Sequence, residues 1–167
     1  LNNVFKDNTL IFDSSGTVIS EVYDKYSIYV PFESIPSHML NAIISIEDKN
    51  FWQHKGYDFK AILRSIFASL KSFKFNQGAS TITQQVIKNF ILSNERTLER
   101  KINEISLAVT LERLLSKQKI FEIYVNTMFL GNGAYGIAAA AKRYFNKSLD
   151  ELKLHEIALI AGLFQSP

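Results

Sequence analysis

The sequence predicts a mainly α-helical domain with a short β segment at its N-terminus. Three observations carry that reading. From Pro36 onward, apolar residues recur at helical spacing in successive runs, each bounded by a capping residue or a glycine. Residues 9–30 instead read as extended, with Asp13-Ser-Ser-Gly16 between two β-rich runs. No repeat, linker or low-complexity stretch interrupts the 167 residues, enough for one domain with a sizeable core.

The elements follow in order. Residues 9–12 and 17–23 form a hairpin around Gly16, and residues 26–30 add a strand before Pro31. A helix runs from just after Pro36 to about Glu47 on Met39, Leu40, Ala42, Ile43, Ile44 and Ile46. Asp58 caps a second helix that reaches about Ser72. Its Phe59, Ile62, Leu63, Ile66, Phe67 and Leu70 are interleaved with Lys60, Arg64 and Lys71, and Phe73, Lys74 and Phe75 follow. Such a face is either core packing or a surface that lies in a membrane interface. Ser80 caps a helix through Asn89, Asn94 caps one over 95–115, and Ser116 caps one over 117–126. Gly131, Gly133 and Gly136 punctuate a loop before a helix over 137–145, and the last helix spans 154–163.

Composition narrows the class. At 47% hydrophobic and 21% charged, the chain has an ordinary globular balance. No run approaches the roughly eighteen apolar residues of a membrane span, and no signal peptide is visible. The abrupt start at Leu1 and the ending Gln165-Ser166-Pro167 read as a domain cut from a longer protein. Zero cysteines excludes disulfides and Cys-ligated metal. The net charge of +3 is unevenly spread: residues 55–119 hold twelve Lys/Arg against five Asp/Glu, and the remainder is acidic. A basic middle fits an anionic partner (phosphate, anionic lipid or nucleic acid) or simply a solvated surface.

Four stretches could carry chemistry. Glu47-Asp48 ends an apolar helix, and Phe51, Trp52, His54 and Gly56 follow at once. A carboxylate at the edge of apolar packing suits general acid/base work, whereas an isolated acidic pair is more often a solvated helix end. On a helical wheel at about 100° per residue, Leu98, Ile102, Ile105 and Val109 form one apolar stripe. Glu104 falls on another arc, between Leu111 and Leu115, with Arg100 and Lys101 at i−4 and i−3. That is either a structural ion pair or a functional acid. Ser80, Thr81, Thr83, Gln84, Gln85 and Lys88 crowd a helix start, which fits phosphate oxygens or ordinary capping. The glycines at 131, 133 and 136 lack the Lys-Ser/Thr ending of a phosphate loop. His38, His54 and His155 build no zinc site.

Taken together and in this order, these stretches resemble the family 51 glycosyltransferases. That family comprises the peptidoglycan glycosyltransferase domain of class A penicillin-binding proteins and their monofunctional relatives. Glu47-Asp-x-x-Phe51-x-x-His54-x-Gly56 fits the family's first motif and Gly78-Ala-Ser80-Thr-Ile-Thr-Gln84-Gln85-Val-Ile-Lys88-Asn89 the second. Arg96-Thr-x-x-Arg100-Lys101-x-x-Glu104 fits the third. Lys119-Ile-Phe-Glu122-Ile-Tyr124-Val-Asn126 is similar to the fourth, with Phe121 and Val125 where leucine is usual. Gly131-x-Gly133-x-x-Gly136, Ala140 and Tyr144-Phe145 resemble the fifth. The likeness covers roughly residues 35–167, with residues 1–34 as the β segment.

The resemblance implies a lysozyme-like helical fold with a membrane-associated jaw near residues 59–75. It implies polymerisation of lipid II onto a lipid-linked glycan chain, with Glu47 as general base and Glu104 on the leaving side, orienting a cation or binding a divalent metal (Mg or Mn). Asp48, Phe51, Arg64, Ser80, Gln84, Gln85, Lys88, Arg96, Arg100 and Lys101 are the implied substrate-binding residues. The implied setting is the outer face of a bacterial cytoplasmic membrane. Its implied partners are cell-wall synthesis proteins and moenomycin-type phosphoglycolipid inhibitors, with no nucleic acid. The competing sequence-level reading is a glycan-cleaving enzyme of the lysozyme or lytic transglycosylase type, equally helical and glutamate-dependent. A binding module that retains a dead site is the other, against which the presence of both glutamates argues.

Overall fold

The computed structural model describes residues 9–22, 25–72, 80–90 and 97–167. It contains seven α-helices and four short strands among those residues: β1 (Thr9–Phe12), β2 (Val18–Val22), β3 (Tyr26–Ser27), α1 (Ser37–Glu47), α2 (Phe59–Ser72), α3 (Ile82–Phe90), α4 (Leu98–Leu114), α5 (Lys117–Thr127), β4 (Ala134–Tyr135), α6 (Ile137–Phe145) and α7 (Leu154–Leu163). The fold is therefore mainly α, as the periodicity predicts. Its residues gather into two compact units, Ile43–Tyr124 on the one hand and Leu1–Ala42 with Val125–Pro167 on the other.

In the second of these units the expected hairpin forms. β1 pairs antiparallel with β2, Thr9 opposite Val22. The Asp13 carboxylate closes the turn by accepting from the backbone N–H groups of Ser15 and Thr17 at 2.8 and 2.9 Å. The expected strand over 26–30 is only two residues long. It pairs parallel with β4, a strand that the glycine loop conceals from sequence reading. Beyond it a side chain replaces the ladder. Asn126 accepts from Val30 N–H and donates to Val30 C=O, both at 2.8 Å. Pro31 has no N–H to extend a strand, so a two-point amide clamp is the available substitute. Gly136, at φ +85°, caps α6, where an added Cβ would lie 2.8 Å from the Asn126 carbonyl oxygen.

The unit Ile43–Tyr124 buries Phe51, Ile82, Ala108, Ile120, Phe121 and Tyr124 completely, and α3 packs on α4. Helix starts follow the capping chemistry with two corrections. Asp58 caps α2 as expected, accepting from Ala61 N–H at 2.9 Å. Burial would raise its pKa, but the Asn50 amide, the first-turn N–H groups and His54 together hold it below the usual value. Thr81, not Ser80, caps α3: its hydroxyl accepts from Gln84 N–H at 3.2 Å while the Gln84 side chain accepts from Thr81 N–H at 2.9 Å. α4 begins at Leu98 under a Thr97 cap, and the expected Asn94 cap lies outside the described residues.

On α4, Leu98 and Ile102 are 86% and 66% exposed, while Glu104 and Ala108 are buried. The arc that carries Glu104 turns inward, and of the apolar stripe only Ile105 and Val109 are half-buried.

Gly56 fixes the loop between α1 and α2 against α4. It sits at φ +95°, and a Cβ there would lie 2.7 to 2.9 Å from backbone atoms of Ala108 and Val109. Gly56→Ala therefore combines left-handed strain with a clash against helix backbone, and should lower stability by about 3 kcal/mol in urea unfolding. Gly16→Ala, at φ +82° with nothing within 4 Å, should cost only about 1 kcal/mol. Equal losses at the two positions would mean that α4 yields freely to the added methyl.

Candidate active site

The unit Ile43–Tyr124 holds the sequence-predicted acids, Glu47 and Asp48 at the end of α1 and Glu104 on α4. Glu47 is the last residue of α1 and is half-buried. Its Oε2 accepts from the Gln85 amide at 2.7 Å, and Gln85 in turn accepts from the buried Tyr124 hydroxyl at 3.1 Å. Glu47 Oε1 is buried and has no hydrogen-bond partner. One oxygen of this carboxylate is thus tethered, while the other is shielded from water and able to take a proton.

Asp48, the next residue, has a different role. It is buried, accepts from Ile82 N–H at 3.0 Å and lies 2.8 Å from His54 Nε2. A carboxylate facing Nε2 favours the tautomer with its proton there, which leaves Nδ1 to accept from Lys117 Nζ at 3.3 Å. Lys117 also donates to Glu112 at 2.7 Å, and Glu112 accepts from the Thr83 hydroxyl at 2.6 Å. Burial lowers the Lys117 pKa even though Glu112 pulls the other way.

These contacts correct part of the expected phosphate site. The N–H groups of Thr81, Ile82 and Gln84 are already taken, by Gln84, Asp48 and Thr81 respectively. The protein's own Asp48 carboxylate occupies the anion position at this helix N-terminus. Phe51, expected to touch substrate, is fully buried. It packs edge-on to Trp52, tilts against Phe121, and lies beneath Lys117, whose Nζ sits 4.5 Å from the ring centroid. Phe51 and Asp48 therefore hold the first motif in place.

The third motif forms its own cluster. Glu104 is only 2% exposed. It accepts from Arg100 Nη1 at 3.0 Å and forms a close ion pair with Lys101. Lys101 also donates to the Ser80 hydroxyl at 2.8 Å, which joins α4 to the start of α3. Arg100 Nε and Gln84 Nε2 are buried donors without partners. With both of its oxygens engaged by cations, Glu104 does not fit a resident divalent metal. Nor does any group of three His, Cys, Asp or Glu side chains able to hold one gather among the described residues.

Of the remaining candidates, Arg64 and Lys88 are exposed on α2 and α3. Arg96, Phe73, Lys74 and Phe75 lie outside the described residues, as do the side chains of Phe67 and Lys71. Sequence reasoning missed Tyr124, Glu112 and Lys117 as parts of the site. For Tyr124 the signal was its place in the fourth motif. The others lie between motifs and gave none.

A family model described as transglycosylase matches residues 15–167. Similar curated proteins include penicillin-binding protein 1A of Rickettsia prowazekii (strain Madrid E), 44% identical over 162 residues, which cover 95% of this chain and 21% of the relative. Penicillin-binding protein 1A of Escherichia coli (strain K12) is 46% identical over 157 residues, 94% of this chain and 18% of that protein. The solved structure of penicillin-binding protein 1A from Haemophilus influenzae matches 96% of this chain and 14% of that one, at 26% identity and a TM-score of 0.48. The chain spans about a fifth of the length of the curated relatives it matches. With the family model matched over nearly its whole length, the chain belongs to the transglycosylase family, the family 51 glycosyltransferases that its five ordered motifs resemble.

Proposed function

We propose that this domain polymerises lipid II into β-1,4-linked glycan, with inversion at the donor sugar and release of a lipid pyrophosphate. The observation that carries the reading is Glu47, tethered through Oε2 by Gln85 while Oε1 is buried and unpartnered. In the reaction, the 4-hydroxyl oxygen of the acceptor's N-acetylglucosamine attacks the anomeric carbon of the donor's terminal N-acetylmuramic acid. Its proton passes to Glu47 Oε1 as the new bond forms. The bond to the lipid pyrophosphate breaks, and negative charge grows on phosphate oxygens. Arg100 and Lys101 are the cations for that charge, and Glu104 fixes where they point. Lys88 and Arg96 complete the basic set by family resemblance.

The glycan-cleaving alternative is set aside, since the similar curated proteins are penicillin-binding proteins. A hydrolase also has no departing pyrophosphate for such cations to neutralise. No helix among the described residues is long and apolar enough to cross a membrane. Membrane contact instead falls to α2, where Phe59 and Leu63 are 61% and 39% exposed one turn apart beside exposed Lys60 and Arg64. The outer face of a bacterial cytoplasmic membrane is the setting that lipid II requires. Cell-wall synthesis proteins and moenomycin-type inhibitors are the partners that follow from this reading.

Glu47→Gln keeps the shape and removes the base, so lipid II turnover should fall at least about a hundredfold while circular dichroism stays unchanged. Near-normal polymer formation by that variant would exclude the assignment.

The two kinds of surface separate in a second experiment. Lys101→Ala should slow single-turnover transfer by about a hundredfold, the scale for losing a preorganised charge-stabilising donor, and leave liposome co-sedimentation unchanged. Phe59→Ser with Leu63→Ser should weaken liposome binding about tenfold or more through lost apolar burial, with transfer on detergent-dispersed substrate intact. If both variants lose the same property, the division between leaving-group site and membrane face is wrong.

A further inference from the structure

Gln85 stands between Glu47, which takes only the donor end of its amide, and the Tyr124 hydroxyl, which donates to the other end. Its Nε2 donates to Glu47 Oε2 at 2.7 Å, and its Oε1 accepts from Tyr124 at 3.1 Å. Turned over, the amide would present a carbonyl oxygen to the Glu47 carboxylate, a repulsive pairing. Glu47 thus selects the amide face, and a fixed donor at Oε1 restrains the amide in it. Tyr124 is built for this. Its ring is fully buried, so the hydroxyl cannot swing away. Burial, the adjacent Glu47 charge and a hydrogen bond to the Glu47 side chain push its pKa well above the ordinary tyrosine value, so it keeps its proton.

We propose that Tyr124 is a positioning residue that acts through Gln85, fixing its amide so that Glu47 Oε2 stays tethered and Oε1 remains the single proton-accepting atom. This rests on the reading of Glu47 as the general base. The relay runs from α5 through α3 to the end of α1, all inside the unit Ile43–Tyr124. Tyr124 itself is fully buried, so its signature is a fall in kcat with little change in KM.

The test compares Tyr124→Phe, Gln85→Met and the double variant, all in the full chain, by lipid II polymerisation and by 15N NMR of side-chain amides. Tyr124→Phe keeps the buried ring, and the backbone amide spectrum checks that the fold is retained. It should lower kcat about tenfold, the rate equivalent of one net hydrogen bond, with KM within about twofold. Added to Gln85→Met it should cost nothing further, because the group it acts through is gone. The Gln85 NH₂ resonances, identified by their loss in Gln85→Met, should shift and exchange faster with solvent in Tyr124→Phe.

Two results would overturn the proposal: an equal further loss from Tyr124→Phe in the Gln85→Met background, or Gln85 resonances that do not respond. The first would mean that Tyr124 acts on Glu47 directly. If Gln85→Met leaves no measurable turnover, the resonances alone decide. Failure of the base reading is distinguishable, since it appears as normal turnover by Glu47→Gln while the Gln85 resonances still report whether Tyr124 holds the amide.

Discussion

The buried Asp48 carboxylate is the constraint on which the candidate site depends. A charge removed from water is costly unless donors reach it, and those donors come from its own loop and from one other segment of its unit. One is the backbone N–H of Ile82 at the start of α3, and the other is His54, six residues further along the same loop. Satisfying Asp48 therefore docks α3 against the end of α1, and Gln85 on that helix reaches Glu47 as a consequence. The arrangement also settles the electrostatics of the helix start. The positive end of α3 is neutralised by the protein's own carboxylate, so in the proposed reaction the substrate anion is left to side-chain cations.

Those cations need direction as well as charge. Arg100 and Lys101 are neighbours on α4, and without a shared partner their long side chains would disperse into solvent. Glu104, one turn on and buried, gathers both, and Ser80 takes a further bond from Lys101. A buried ion cluster of this kind is weak support for stability, because desolvation consumes most of the Coulombic gain. Its value is geometric. Two positive charges against one negative leave the cluster net cationic, the sign a departing pyrophosphate requires.

Much of the chain was legible in the sequence because its signals are local. α6 and α7 begin and end where periodicity and the flanking residues place them, and Asp58 and Ser116 cap the helices they precede. The misreadings share one cause, that a local pattern says nothing about what faces it. Leu98 and Ile102 belong to an apolar stripe, yet both are exposed and the arc of Glu104 and Ala108 is the buried one. Phe51 sits in a catalytic motif yet packs under Lys117. β4 is invisible because two residues after a glycine turn carry no alternation. Ser80 and Thr81 are equally good caps by type, and only the position of Lys101 decides between them.

The same accounting separates the acids that the sequence could only enumerate. Asp48 holds a backbone N–H and a histidine, Glu104 an arginine and a lysine, and Glu112 a lysine and a threonine hydroxyl. Each is a carboxylate whose bonds join it to donors of the same unit. Glu47 differs in one atom. Among the described residues its Oε1 is the single buried carboxylate oxygen without a donor, while Oε2 keeps the side chain from turning away. A general base must be held still and left unsatisfied at the atom that reacts, and among the described residues of this unit only Glu47 meets both conditions.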